Sequence, residues 1–540
     1  ENKFKSTVHC FGFTYPVSLF YFTLNQAYEM SNKASNQVHE LIQSMTPAEK
    51  RYFKLHAERH TGQGKNNYHL LFEAMEDQPE YREESLLEKF KHDSFTNHFS
   101  IAKNRLYHQI LKSLDAFYAE GSVDAELQRY LHYVEILFHK TLYNQCSRVL
   151  ATAEKIASKH EKVTTLLQII KWKKRLIEVR QHEENNPKLY TAQIDLIAEL
   201  SLGNELWKLK SSVFEELFRM GQARSKEMAR NSALLLDELN KFKGQSDNFE
   251  TNHLIFHTES AIYFHAGEYP KCKKALLQNL KLIEKNLHLV AEEPILYHSV
   301  LTNLIYVSAK LNHFEDVKKF LEESRALPEK LKITPTEHIE YRIFSDSYEL
   351  ELAICNITGN TMRGKELVET IPPMLEKWNH KHGDVKRATF LHGLSVMYYT
   401  MGDLSKSLFW NNELLNTISI KKAEDSFCFG QIFHAVLHYE LGNIELLSGI
   451  IKSLSRYLDI RERRYKFEDY FLNLIKQLEK APASKMPFRS FLESIAPLED
   501  EDYEKIAFEY FDFTAWAQSH LGDLTFQKTV EQRIELKNLL

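Results

Sequence analysis

The stretch FHAGEYPKCKKAL, residues 264–276, sets a glycine between two apolar runs, and the same arrangement returns along the chain. Tyr263 stands four residues before Gly267, Tyr269 two after it, Cys272 three further and Leu276 four beyond. Around Gly402 the matching positions hold Tyr398, Leu404 and Ser407; around Gly442 they hold His438, Ile444, Leu447 and Ile451; around Asn312 they hold Phe314, Val317 and Leu321. Gly359 with Thr361 and Gly364, and Gly522 with Leu524, are weaker copies. An early copy lacks the glycine and reads Thr141, Tyr143, Cys146, Leu150, Ala153. Glycine reaches φ > 0 without a Cβ penalty and asparagine tolerates it, so each site predicts a helix end followed by a tight reversal. The residue two places on packs back over the turn. A small residue three further lets the second helix approach the first. The repeated object is therefore an αα-hairpin. The chain has only 17 Gly and 13 Pro in 540 residues, the two residues that cost most inside a helix. The expected fold class is all-α.

Before the repeats, SMTPAEKRYFKL (44–55) predicts a helix start. Thr46 caps, Pro47 suits the first helical position, and Glu49 returns a bond to the cap. Further helical segments follow at 68–75 and 83–90. In a run from about Ser100 to Tyr118, Leu106, Ile110, Leu114 and Phe117 share one face. These predict an N-terminal helical unit over 30–120 and a repeat array over 121–540.

The turn register resembles the tetratricopeptide repeat family, through Tyr263, Gly267 and Tyr269 first and Tyr398 and Gly402 next. The resemblance covers roughly 125–540 and is strongest over 250–455. The family repeat is about 34 residues, whereas the turns at 267, 312, 359, 402 and 442 lie 40 to 47 apart; helices or linkers must be longer here. Between 442 and 522 one turn is disguised, and KAPASKMP (480–487) is the place for it. The resemblance implies a right-handed superhelical array of αα-hairpins, a TPR-like solenoid, because a lone hairpin cannot bury its apolar face and neighbours must stack. It also implies a concave groove, lined by first helices, that takes an extended peptide or a partner helix. Carried onto this sequence, positions three, six and ten before each turn residue offer His257, Phe264, Tyr306, His392, Tyr399 and Tyr439, with Asn303 adjacent. Aromatics supply area and amides bond a peptide backbone; the same aromatics also suit core between repeats. The family's clamp for a terminal carboxylate is not expected, since Asn303 has no matching lysine on neighbouring first helices.

Motifs for catalysis are few. GNTMRGKE (359–366) fits the phosphate-loop spacing, but Glu366 stands where Ser or Thr should hold magnesium, and the preceding segment reads as helix. HAERH (56–60) sets His56 and His60 one helical turn apart without the metalloprotease glutamate spacing, and NHKHG (379–383) reads as a polar loop. RERRYK (461–466) and EDEDYE (499–504) read as solvated charge runs or as contacts to a charged partner. No catalytic residue, cofactor or metal is expected.

The net charge of -5 lacks the basic footprint of a nucleic-acid binder. Five cysteines are scattered, without C-x-x-C, which fits a reducing compartment; the expected location is cytoplasmic. Residues 8–24 are apolar, but they lack a cleavage site and fall short of a membrane span. Residues 1–29 are therefore expected to lie outside the fold, as a leader or upstream segment, with a degenerate signal or anchor as the competing reading. The expected function is a non-enzymatic scaffold that binds a peptide or partner protein, with neither nucleic acid nor membrane as partner. The alternative is a transcription-type regulator whose N-terminal unit touches nucleic acid through Lys103, Arg105 and Lys112, joined to a peptide-sensing array.

Overall fold

The structure is a computed structural model. It describes residues 36–59, 67–119, 121–180, 187–220, 226–379, 381–418, 423–461, 464–501, 504 and 506–539. The leader expected over 1–29, His60 and His380 lie outside the described residues. No strand occurs among the described residues. These residues form two compact units, with the boundary between 199 and 200.

The first unit, within 36–199, begins with α1 (Gln37–Ser44), α2 (Pro47–Arg59), α3 (Asn67–Glu76), α4 (Glu83–Lys89) and α5 (Phe99–Phe117). The capping box at the start of α2 forms: the Thr46 N–H and hydroxyl donate to Glu49, whose own N–H donates to Thr46 Oγ1. Leu106 and Ile110 of α5 join Ile42, Phe53, Leu71 and Phe72 in one closed core. A second core follows on α6 (Val123–His139), α7 (Tyr143–Lys159) and α8 (Val163–Val179). The long α9 (Pro187–Met220) carries the unit boundary.

The second unit holds the remainder of α9, then α10 (Lys226–Asn240), and a succession of helical pairs. These are α11 (Phe249–His265) with α12 (Tyr269–Lys285), α13 (Pro294–Lys310) with α14 (Phe314–Arg325), and α15 (Glu337–Thr358) with α16 (Thr361–Lys377). They continue as α17 (Asp384–Thr400) with α18 (Leu404–Thr417) and α19 (Glu424–Glu440) with α20 (Ile444–Ile460). Then come α21 (Lys466–Lys480), α22 (Met486–Ile495), a short helical turn at Ile506–Tyr510, α23 (Phe513–Leu521) and α24 (Phe526–Leu539). First helices pack on their successors: α13 on α15, α15 on α17, α17 on α19.

One turn recurs. Gly267, Gly359, Gly402, Gly442, Asn312, Thr141 and Glu161 all stand at positive φ, between 51° and 82°. After each, the next N–H reaches back five residues: Glu268 to Tyr263 O at 2.9 Å, His313 to Ser308 O at 2.9 Å, Asn360 to Cys355 O at 3.0 Å, Asp403 to Tyr398 O at 2.9 Å, and Asn443 to His438 O at 2.9 Å. Leu142 to Leu137 O at 3.0 Å and Lys162 to Ala157 O at 2.8 Å complete the set. This is the Schellman closure, which satisfies carbonyls the helix end leaves open. The all-α, TPR-like hairpin repeat is thus written in the backbone. Close approach at the small residue is also present. A Cβ on Gly364 would lie 2.2 Å from Met397 Sδ on the next first helix, and Ser407 is buried with its hydroxyl on Ser395 O at 2.7 Å.

One expectation about turns needs correction, and another holds. Gly522 is not a left-handed turn: it has φ -98° and ψ -163°, an extended backbone that continues into a short loop. The turn in KAPASKMP does separate α21 from α22, but Ala481 leaves the helix at φ -142°, ψ 73°, so no left-handed residue marks it.

Candidate functional site

The seven predicted groove residues all fall on first helices, but most are spent inside the unit. The His257 ring lies against Phe214 at 5.2 Å and stacks on His253 at 5.9 Å. Its Nδ1 is buried without a partner, and burial, then the Lys210 charge, pushes its pKa well below the histidine range. Phe264 packs on Tyr306 at 5.7 Å and Tyr269 at 6.0 Å, and Tyr306 is buried. Tyr439 is half-buried and donates to Pro482 O at 2.9 Å. His392 and Tyr399 are core. Phe264 and Asn303 remain half-exposed.

What covers this face is the chain's own C-terminal segment. His392 Nε2 lies 2.9 Å from the Tyr510 carbonyl, 118 residues away, and donates to it. The Tyr510 ring stacks on Phe429 at 4.4 Å. Tyr399 meets Phe511 at 5.3 Å and Phe526 at 5.1 Å, and Phe433 meets Phe511 at 4.9 Å. Lys310 of α13 pairs with Glu509 at 3.8 Å. Gln527 of α24 donates to Thr361 Oγ1 at 2.9 Å, and its carbonyl sits 3.2 Å from where a Cβ on Gly359 would be. Glu440, at the end of α19, closes the arrangement: its Oε1 accepts from Trp516 Nε1 at 2.5 Å, His520 Nε2 at 2.8 Å and the Tyr399 hydroxyl at 3.1 Å. Burial works against that carboxylate, but the His520, Trp516 and Tyr399 bonds outweigh it and hold its pKa below the usual range.

His392, Tyr399 and Tyr439 are therefore corrected from partner-facing residues to partners of residues 482–526. The sequence carried a hint of this. EYFDF (509–513) is an acidic and aromatic run that the turn register leaves unused, and aromatic rings of that density seek burial.

Sequence reasoning also missed a buried polar line across first helices. His253 Nδ1 bonds Asn279 Oδ1 at 2.9 Å, and His298 Nδ1 bonds Ser324 Oγ at 3.0 Å; both pairs are 26 residues apart, so the repeat extends to its polar core. His298 Nε2 then reaches Asp346 at 3.1 Å, and Arg342 (3.0 Å) and Lys386 (3.2 Å) pair with the same carboxylate. Lys386 also pairs with Glu349. Burial alone would raise the Asp346 pKa; Lys386, the His298 bond and Arg342 hold it well below the carboxylate range. Ser324, His298 and Asp346 form the order of a hydrolytic triad, yet all three are buried, with Ser324 at 0% exposure. A nucleophile needs room for its substrate beside it, so this is a satisfied core network. Its signal in sequence is only the recurrence of histidine 45 positions apart.

The remaining motifs resolve locally. GNTMRGKE is the junction between α15 and α16: Gly359 reverses the chain, Asn360 caps with its side chain on the Arg363 N–H at 3.1 Å, and Arg363 pairs with Glu351 and Glu366. The two charge runs meet each other. Lys466 pairs with Glu501 at 2.7 Å, and Glu504 accepts the Lys466 and Phe467 N–H groups at 3.0 and 2.9 Å, satisfying the start of α21. Arg464 pairs with Asp459 and Asp469. In the N-terminal unit Lys103 is buried and bonded to Glu83 at 2.5 Å and the Tyr81 hydroxyl at 2.9 Å, so its charge does not face outward for phosphate. A shallow hollow of about 410 Å³ near α2 is lined by Met45, Lys50, Lys54 and Glu76, among others, and its lysines pair with Glu76.

Among the described residues, no group of three or more His, Cys, Asp or Glu is arranged to hold a metal ion. No helix among them is long and apolar enough to cross a membrane. Cys146, Cys272, Cys355 and Cys428 are buried thiols outside any disulfide, and burial pushes the Cys272 and Cys355 thiols up to about 12.

No family model matches this sequence, and no curated protein matches it. Among solved structures, the chain is similar to the crystal structure of a Signal Transduction ATPase with Numerous Domains (STAND) protein with a tetratricopeptide repeat sensor, from Pyrococcus horikoshii. The identity is 14% and the TM-score 0.35; the match covers 94% of this chain, which spans 65% of that protein's length. The helical-repeat assignment rests on the seven turns of this chain.

Proposed function

We propose that the protein is a non-enzymatic interaction scaffold that holds a peptide or partner protein on the first-helix face of its second unit, at the stretch formed by α11 and α13. The observation that carries this reading is the contrast along that face. From the Lys310 end of α13 to α19 it is covered by residues 506–527, whereas Phe264 of α11 and Asn303 of α13 remain half-exposed. A half-exposed aromatic on α11 and a half-exposed carboxamide on α13 supply apolar area and a group that bonds a peptide backbone, which suits an extended peptide.

The test is affinity capture with the full chain from native lysate treated with nuclease. Wild type is compared with Asn303→Arg and with Leu446→Arg, a control on the exposed side of α20. The reading expects a defined partner that is lost with Asn303→Arg and kept with Leu446→Arg, while both variants keep the wild-type thermal midpoint. Equal retention by both variants places the site elsewhere, and a partner set that disappears with nuclease argues for nucleic acid.

A further inference from the structure

Helix α19 carries His434 and His438 at i and i+4, the spacing that brings two side chains together on one helical face. Their Nε2 atoms face each other at 3.2 Å, with ring centroids 4.4 Å apart. Both residues are half-buried, so one wall of the pair is protein and the other is reachable. Two imidazoles held on a tetrahedral ion, each at about 2.0–2.1 Å, have nitrogens about 3.3 Å apart. The helix therefore holds the two nitrogens at the separation such an ion needs before any ion arrives, and the rings have only to turn so that both lone pairs meet at it.

The outer nitrogen of His438 is also addressed. Its Nδ1 lies 3.1 Å from the side-chain amide of Asn443, the residue that follows the Gly442 turn. The oxygen and nitrogen of an amide exchange places by a half-turn. With the oxygen toward the ring, Asn443 accepts Nδ1–H and leaves the Nε2 lone pair free, the outer hydrogen bond that orients a ligating histidine. The neutral pair shares one proton between two facing nitrogens; an ion binding beside that line, where both lone pairs can converge, displaces the proton to an outer Nδ1.

We propose that His434 and His438 form a two-imidazole site for one divalent transition-metal ion of the zinc class, with water in its remaining positions. Imidazole selects zinc, copper or nickel over calcium and magnesium, which require oxygen donors. The site is independent of peptide binding on the first-helix face and stands or falls separately from it.

The experiment is calorimetric titration of the full chain with zinc chloride in excess magnesium, comparing wild type with His434→Gln, His438→Gln and Asn443→Ala. Thermal midpoints in chelator establish that each variant is folded. The proposal expects one zinc equivalent to be lost in each glutamine variant. It expects Asn443→Ala to retain that equivalent with affinity weakened ~10–100-fold. With copper(II) in place of zinc, the wild-type resonance spectrum should show coupling to two nitrogens that each glutamine variant loses. Absence of zinc binding by the wild type, or the same stoichiometry and affinity in folded His434→Gln and His438→Gln, overturns it.

Discussion

Glu440 is the residue whose loss should most directly release the C-terminal segment from the first helices. Its Oε1 accepts three donors from two other helices: the Tyr399 hydroxyl on α17, and Trp516 Nε1 and His520 Nε2 on α23. In Glu440→Ala all three lose their acceptor. His520 is a quarter exposed and can turn to water, but Trp516 is fully buried and Tyr399 nearly so. Each buried donor left without a partner costs about 1–3 kcal/mol, so the segment is destabilised by ~2–6 kcal/mol. Glu440→Gln keeps an oxygen in place and loses only the ionic strengthening, a penalty of ~1 kcal/mol. The assay is amide hydrogen exchange read peptide by peptide. At the lower end of that range, α23 and α24 amides exchange about thirtyfold faster in Glu440→Ala, while α11 to α14 keep wild-type protection. Exchange in α23 within twofold of wild type in Glu440→Ala would refute the reasoning, because it would mean the three bonds hold nothing in place.

Three further outcomes follow from the same geometry. Gly267→Ala forces a Cβ into a left-handed turn at φ 73° and should destabilise by ~1–2 kcal/mol, whereas Glu161→Gly relieves the same strain at φ 51° and should raise the thermal midpoint. Gly364→Val drives its Cβ into Met397 and should cost ~1–3 kcal/mol in denaturant unfolding, the range for overpacked cores. His253 and His392 are buried in the neutral form, each with its pKa lowered by burial from 6.5 to about 4. Below pH 6.5 the unfolded chain takes up those protons and the folded chain does not until about pH 4. Stability therefore falls on acidification across that window by up to ~1.4 kcal/mol per pH unit for each histidine. Thermal midpoints that stay flat between pH 6.5 and 4.5 would contradict it.

The hairpin repeat was legible because its information is local. A glycine or asparagine at a helix end, a large residue two places on and a small one three further all act within one turn, and Gly267, Gly402 and Gly442 declare themselves by residue type alone. Thr141 takes the same conformation and was found only through Tyr143 and Cys146 after it; Glu161 was missed because nothing about a glutamate marks φ > 0. His392, Tyr399 and Tyr439 were the groove residues that sequence pattern placed wrongly. Position on a first helix predicts which way His392 and Tyr399 face, but the residue that faces them is Tyr510 or Phe511, more than a hundred positions away. No periodicity encodes that pairing. The buried ion network failed for the same reason: His298, Asp346 and Lys386 lie on three helices, and each alone reads as an ordinary polar residue.

The central claim is that residues 506–527 lie across the first helices from the Lys310 end of α13 to α19 and leave Phe264 and Asn303 for a partner. Zero-length carbodiimide coupling of the full chain tests it, because that reagent joins an amine to a carboxylate only where the two already touch. Lys310 and Glu509 stand 3.8 Å apart, and Lys466 and Glu501, a pair independent of this claim, stand 2.7 Å apart. The account predicts both cross-linked peptides from the monomer by mass spectrometry. Recovery of the 466–501 link without the 310–509 link would contradict it and return His392 and Tyr399 to the open face.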